Sequence, residues 1–228
     1  MDERSVKEII REEWKKLSGL TWGQRLGYIW DYYKPLMVVM LVIAAAISIG
    51  VTIYHNLQIN HVFQTYWVNS NSFEFNSDEV AAEFAEYIGG IGKNDEITVD
   101  ASVQYSLTEN TQYSMAAQMK LTALMATGDM DVLLLDGEIY EHFMEVGAAF
   151  QELSELYPEE QLKIWEPYLV KGENTESGGE GVYALLVTDA PVLKRLNAYP
   201  EGEVYAVVMT GTKHPEECAQ FLNYLLGY

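Results

Sequence analysis

The chain has 228 residues and carries 34 acidic against 14 basic side chains, which gives a net charge of −20. This acidity argues against nucleic acid as a partner and against docking on anionic lipid headgroups, because basic patches bind phosphate groups. The single cysteine, Cys218, excludes an intrachain disulfide.

The amino-terminal tail, residues 1–34, has the pattern of two amphipathic helices. Ser5 with Glu8 and Thr21 with Gln24 have the spacing of capping boxes, and apolar residues recur at helical intervals after each. We expect the tail to lie on the inner membrane surface; docking of a cytoplasmic partner is the alternative. The residues expected at the membrane interface are Tyr28, Trp30, Tyr32, Tyr33 and Lys34.

The next segment, residues 35–56, is predicted to be a transmembrane signal anchor. Its run from Pro35 to Tyr54 has 20 residues without a charged side chain, and a helix of that length spans the roughly 30 Å hydrocarbon core of a bilayer. The run is longer than the apolar core of a cleaved signal peptide. It also lacks the polar face expected if it were an ordinary core helix.

Charge on the two sides of the anchor predicts its direction. Residues 1–34 carry seven Lys/Arg and six Asp/Glu, a net of +1, whereas everything after the anchor carries seven Lys/Arg and 28 Asp/Glu, a net of −21. Positive charge close to a membrane stays in the cytoplasm. We therefore expect a single-pass cell-membrane protein with a cytoplasmic amino terminus and an extracytoplasmic domain, residues 57–228.

The domain after the anchor is predicted to alternate strands and helices. Apolar runs and alternating patterns predict strands at 62–68, 97–103, 130–135, 182–187 and 204–209. Helices are expected after Asn76 or Ser77, from Asn110 or Thr111 to Gly128, over 139–146, over 191–196 and from Pro215 onward. Short helices around 162–165 lie in a loop-rich region, and 172–181 is a short Gly-rich stretch expected to be flexible.

This order predicts the α/β class, with one mainly parallel sheet flanked by helices. In such sheets ligands bind beyond the carboxyl ends of the strands. The candidate ligand-binding residues at those ends are Asn69, Asn71, Tyr105, Ser106, Asp136, Thr188 and Asp189.

Two segments carry a family resemblance. The segment Lys120–Glu152 resembles the first lobe of extracellular solute-binding proteins of the type II periplasmic-binding fold, with Gly147–Leu153 similar to that family's G-x-F-x-(D/E)-L motif but one residue longer between the Gly and the Phe. Val207–Leu226 resembles the family's closing strand and its P-E-E-A-x-x-F-L helix. The aromatic segment Gly27–Lys34 before an anchor resembles a pattern of single-span surface proteins in clostridia-type Gram-positive bacteria.

The resemblance implies one lobe rather than two. Only about thirty residues separate Leu153 from Val182, and a second lobe of ordinary domain size needs at least about 50. The clamshell closure of the family therefore does not carry over to this chain.

No motif in the sequence indicates catalysis, a metal or a cofactor. Asp129, Asp131 and Asp136 lack the oxygen ligand at position 5, the Gly at position 6 and the Glu at position 12 of a calcium loop. The four histidines have no metal-ligand spacing; His214 is expected to cap a helix. Cys218, on an apolar helix face, is expected to be a buried core residue rather than a nucleophile.

The expected function is a membrane-anchored, extracytoplasmic module that binds a small solute or a partner protein and is accessory to an ABC transporter or an envelope complex. A structural envelope scaffold without a small-molecule ligand is the first alternative. A surface hydrolase is the second, and it needs a cluster of acidic, basic or nucleophilic groups that the sequence does not display. We expect no enzymatic activity.

Overall fold

The computed structural model of the chain describes residues 21–109, 111–174 and 179–228. The first predicted tail helix, around Ser5 and Glu8, lies outside these described residues, as do residues 175–178 of the stretch expected to be flexible. The chain divides into two compact units at the boundary between Gln58 and Ile59.

The described part of the first unit is dominated by one long helix, α1, over Trp22–Asn56, with Pro35 inside it. The second predicted tail helix begins at Trp22 and continues into the apolar run without a break. Within α1, Lys34–Tyr54 has a mean hydropathy of 2.8 and none of its most apolar window is buried. A core helix would be mostly buried, so this exposure disfavours that alternative, and α1 is a candidate membrane span or signal anchor.

The second unit contains one six-stranded sheet in the order β2-β1-β3-β6-β5-β4. The strands are β1 Asn60–Trp67, β2 Asp95–Asp100, β3 Val132–Asp136, β4 Leu169–Asn174, β5 Gly179–Leu186 and β6 Val204–Val208. The helices are α2 Ser77–Tyr87, α3 Gln112–Thr127, α4 Gly137–Glu145, α5 Leu153–Leu156, α6 Glu159–Trp165, α7 Pro191–Leu196 and α8 Pro215–Leu226, with a 3-10 turn over Glu166–Tyr168.

The sheet is mixed, so the prediction of a mainly parallel sheet is wrong. Strand β1 pairs in parallel with both β2 and β3, whereas the pairs β3–β6, β6–β5 and β5–β4 are antiparallel. The reason is β6, which runs antiparallel to both of its neighbours, β3 and β5. Strand β4 adds a further antiparallel pair and was expected to be part of a loop-rich region. It pairs with β5 as an antiparallel ribbon that takes in Gly172 and Gly181 from the stretch expected to be flexible, and this ribbon extends the sheet beyond β6.

The two faces of the sheet carry different helices. Alternate side chains of β1 point to opposite faces, so that Phe63 and Trp67 join one buried cluster and Tyr66 joins the other. The first cluster packs beneath α2, α5, α6, α7 and α8, and the second beneath α3 and α4. Among the described residues only α3 and α4 pack on the second face, and much of the surface of α3 is exposed.

Candidate functional site

The strands that follow β1 are added on opposite sides of it, first β2 and then β3. Helix α2 follows β1 on one face, helix α3 follows β2 on the other, and β3 then pairs on the opposite side of β1 from β2. In open α/β sheets this arrangement places a crevice at the carboxyl ends of the central strands, where ligands commonly bind. The candidate residues after β1, β2 and β3 therefore belong to the same edge of the sheet.

Asn69, Tyr105 and Asp136 meet at this edge. The Asn69 side-chain amide donates to an Asp136 carboxylate oxygen at 2.6 Å and to the Tyr105 carbonyl at 2.9 Å. The Tyr105 backbone N–H donates to the Asn69 side-chain oxygen at 2.7 Å. Asn69 has a φ of +58°, a left-handed conformation that Asn adopts more readily than most residues. Burial raises the pKa of the Tyr105 phenol.

These polar groups bind one another. The second carboxylate oxygen of Asp136 accepts the backbone N–H of Ile139 at 3.0 Å and so caps α4. Asp136 therefore links the start of one helix to the loops after two strands. The arrangement acts as an internal brace that fixes the backbone at the carboxyl ends of β1, β2 and β3.

The other four candidate residues lie apart from this brace. The Asn71 backbone N–H donates to the Ala198 carbonyl at 2.7 Å, and the Ser106 hydroxyl accepts the N–H of Glu109 at 3.0 Å in a local turn. The Thr188 hydroxyl accepts the N–H of Val204 at 2.9 Å. The Asp189 side chain is 82% exposed and forms a surface ion pair of 2.7 Å with Lys194.

The residues predicted for the membrane interface all lie in α1. Trp30 and Lys34 are exposed, and the Lys34 ammonium lies 5.8 Å from the centre of the Trp30 ring. Tyr28, Tyr32 and Tyr33 occupy the same stretch of the helix, within two turns before the apolar segment. Their position in the sequence agrees with an aromatic belt at the end of a membrane span.

A cleft of about 310 Å³ lies between α3 and the segment that follows β2. Strand β2 ends at Asp100, three residues before its predicted end, because the Asp100 carboxylate accepts both the N–H and the hydroxyl of Ser102. The cleft is lined by Ser102, Val103, Gln104, Tyr113, Ala116, Ala117 and Lys120. The cleft was not predicted from the sequence, because its wall at 102–104 was expected to belong to strand β2 or to the loop after it.

Lys120 provides the only charged side chain of α3, and that charge is compensated. Its ammonium lies 2.5 Å from an Asp100 carboxylate oxygen and 5.7 Å from the centre of the Tyr66 ring. Burial opposes ionisation of Asp100, but the hydrogen bonds from Lys120 and Ser102 outweigh it and hold the pKa of this carboxyl below its ordinary value. The pKa of Tyr66 is raised, first by burial and then by the charges of Asp100, Asp129 and Asp131.

Helix α3 presents an unusually apolar surface to solvent. It begins at a capping box formed by Thr111 and Ser114, Thr111 being one of the two predicted starts, and it ends at the predicted Gly128, which is left-handed. Only Ser114 and Leu121 of the helix are buried. Met119 is 72% exposed and Tyr113 is 87% exposed, so apolar residues occupy the face turned away from the sheet.

A second polar cluster, centred on the buried Asp131, was not predicted. Its carboxylate is hydrogen-bonded by the Gln64 N–H at 2.8 Å, by the Thr212 hydroxyl at 2.5 Å and by the His214 Nδ1 at 3.2 Å. His214 stands at the start of α8, as expected, but its side chain makes no capping bond and bonds Asp131 instead. The network joins β1, β3 and the start of α8.

Cys218 lies behind this network and is fully buried, as expected. Burial and the neighbouring Asp131 raise the pKa of its thiol, which disfavours the nucleophilic thiolate. Within the part of the chain that the structure describes, no three His, Cys, Asp or Glu side chains converge as metal ligands.

Comparison of the chain with protein-family models, with curated proteins and with solved structures gives no match.

Proposed function

We propose that this chain is a single-pass membrane protein whose carboxy-terminal α/β unit is an extracytoplasmic interaction module that engages a partner protein through helix α3. The exposed apolar surface of α3 carries this proposal. In a chain with a net charge of −20, α3 contains 16 residues and a single charged one. Exposed apolar surface of this kind is typical of interaction sites.

The geometry at the strand ends favours a protein partner over a small polar solute. A solute would be recognised by polar groups that converge on it with hydrogen-bonding capacity to spare. The Asn69 amide instead bonds Tyr105 and Asp136, and the Thr188 hydroxyl accepts from Val204. A ligand that used these groups would first have to break bonds that hold the loops in place.

Attachment through α1 provides the anchor for this module. The apolar segment Lys34–Tyr54 is long enough to span a bilayer, and the charges of +1 before it and −21 after it favour a cytoplasmic amino terminus. Under this proposal the partner is another protein of the cell envelope, such as a transporter subunit. The resemblance to a single solute-binding-protein lobe is part of the same proposal.

Site-specific photocrosslinking in the native membrane tests the interaction. A photoreactive amino acid replaces Met119 in the full chain, and the control replaces Ala82, which is exposed on α2 beneath the opposite face of the sheet. We expect Met119 to give one major crosslinked protein, identified by mass spectrometry, and Ala82 not to give it. Equal products from both positions, or none from Met119, would rule out α3 as the contact surface.

The orientation is tested by thiol labelling of intact cells with a membrane-impermeant maleimide. The variant Thr122→Cys places a thiol on the exposed side of α3, whereas the native Cys218 is buried and serves as the internal control. We expect Thr122→Cys to label in intact cells and the wild-type chain to remain unlabelled. Labelling only after lysis would show that the module faces the cytoplasm.

Binding of a small solute is a second candidate function, because the 310 Å³ cleft beside α3 lies at the carboxyl end of β2. This volume is at the lower limit of small-molecule sites. A panel of solutes tested by thermal shift on the full chain in detergent would support it if one compound stabilised the wild type but not Lys120→Ala. No stabilising compound would leave the protein partner as the proposed function.

A further inference from the structure

We propose that the partner of α3 is an amphipathic helix whose apolar residues are flanked by Lys or Arg. This inference rests on the proposed function and names the chemistry of the partner. The contact surface, here termed the α3 face, consists of Met115, Ala116, Met119, Ala123 and Ala126, all exposed. Their spacing places them on one side of the helix.

The shape of the α3 face suits a helix. Three alanines separate and flank two methionines, so a facing helix can approach closely at the alanines and pack its own side chains between the methionines. Met side chains are flexible and adapt to irregular partners. Helix α3 has 16 residues, which corresponds to about 24 Å and accommodates roughly four turns of a partner.

Acidic residues border the α3 face at both ends. Glu109 precedes the helix and is exposed, and Asp129 follows its Gly128 cap and is exposed. The only basic residue of the helix, Lys120, is already paired with Asp100. A partner with basic residues beside its apolar stripe therefore meets complementary charge.

The same charges disfavour two other occupants. A second copy of this chain would bring the Glu109 and Asp129 borders of two −20 chains together, and like charges repel. An anionic lipid surface would meet the same repulsion. Basic flanks on a helix remove this repulsion and keep the apolar contact, which is the helix-in-groove mode of recognition.

The test measures binding of a fluorescent Leu/Lys peptide, designed as an amphipathic helix of about four turns. The full chain is held in nanodiscs of zwitterionic lipid, and binding to empty discs is subtracted. A peptide with Glu in place of every Lys is the charge control, and a scrambled Leu/Lys peptide of the same composition is the shape control. We expect the Leu/Lys peptide to bind with a dissociation constant of about micromolar, because a single-helix contact is smaller than a standard interface. Binding should weaken as salt is raised.

Two variants locate the site. Met119→Lys places a positive charge, the same sign as the lysines of the peptide, in the centre of the α3 face. We expect this variant to weaken peptide binding about tenfold or more. Ala82→Lys adds the same charge on the exposed side of α2 and should weaken binding by less than about twofold, through long-range repulsion alone. Met119→Leu keeps an apolar residue and should preserve binding.

Equal binding of the Lys and Glu peptides, or equal losses in Met119→Lys and Ala82→Lys, would overturn the inference. A disulfide-linked dimer formed by Met119→Cys in membranes would show that a second copy occupies the face. If photocrosslinking at Met119 identifies a partner but the Leu/Lys peptide does not bind, the proposed function stands and only the chemistry inferred for the partner is wrong.

Discussion

Replacement of Asn69 by alanine tests whether the strand-end residues form an internal brace. The change removes hydrogen bonds of 2.6 Å to Asp136 and of 2.7 and 2.9 Å to the Tyr105 backbone. A hydrogen bond to a charged group contributes about 1.5–3 kcal/mol and a neutral one about 1 kcal/mol. Alanine at a φ of +58° adds about 1 kcal/mol of steric cost. These contributions add to about 4.5–6 kcal/mol. Because the cluster is only partly buried, water replaces some of the lost hydrogen bonds, and we expect a total loss of about 3–5 kcal/mol in the free energy of unfolding.

The loss is measured by urea unfolding of the full chain in nonionic detergent, followed by the fluorescence of the fully buried Trp67 and Trp165. Asn69→Gly is the matched control, since it loses the same hydrogen bonds but tolerates positive φ. It should be less destabilised than Asn69→Ala, by up to about 1 kcal/mol. A loss below about 1 kcal/mol in Asn69→Ala would refute the brace and return these polar groups to the list of possible ligand contacts.

Three further changes test other parts of the domain by the same unfolding assay. Asp131→Ala leaves the Thr212 hydroxyl without its buried acceptor and should cost about 3–5 kcal/mol; a loss under about 1 kcal/mol would contradict the network. Phe84→Ala empties a fully buried position and should cost about 3–5 kcal/mol, and a smaller loss would mean that the core collapses into the space. Burial alone would raise the pKa of Asp100 on folding. The hydrogen bonds from Lys120 and Ser102 outweigh burial, so the pKa of Asp100 is lowered on folding. Its stabilisation is therefore complete above the ordinary Asp pKa of about 4 and is lost as pH falls below it. The stability gap between wild type and Asp100→Asn should narrow below pH 4; a constant gap would contradict the assigned pKa shift.

Local signals in the sequence predicted most helices and strands of the domain. Helix α3 begins beside Thr111 and ends at Gly128, as expected, since a capping side chain and a left-handed Gly act within a few residues of the helix ends. Helix α7 has the predicted bounds Pro191–Leu196, and α8 begins at the predicted Pro215. The burial of Cys218 likewise followed from its apolar helix face.

Strand β4 was missed because its sequence carries little strand signal. The segment Leu169–Asn174 contains Lys171, Gly172 and Glu173, which are not the β-branched or aromatic residues that favour strands. It becomes a strand because β5 offers hydrogen-bonding partners along its edge. The mixed character of the sheet depends on the antiparallel pairing of β6 with β3 and β5 as well as on β4, and propensity does not determine which strands pair or in which direction.

The candidate site was predictable in part. Sequence order placed Asn69, Tyr105 and Asp136 after neighbouring strands, and the structure brings these three together. It also shows that they bind one another, which depends on side-chain distances rather than on order along the chain. The pairing of Asp131 with His214, 83 positions apart, is a contact of the same kind.

The sequence by itself determined the apolar span, the charge contrast across it and the alternation of helices and strands, because each depends on neighbouring residues. Only the tertiary structure decided which side of α3 is covered. Its apolar residues lie all around the helix, so periodicity marks no buried face, and packing against the sheet buries Leu121 while Met119 stays exposed. That choice creates the surface on which the proposed interaction depends, because exposure follows from which elements pack together in three dimensions.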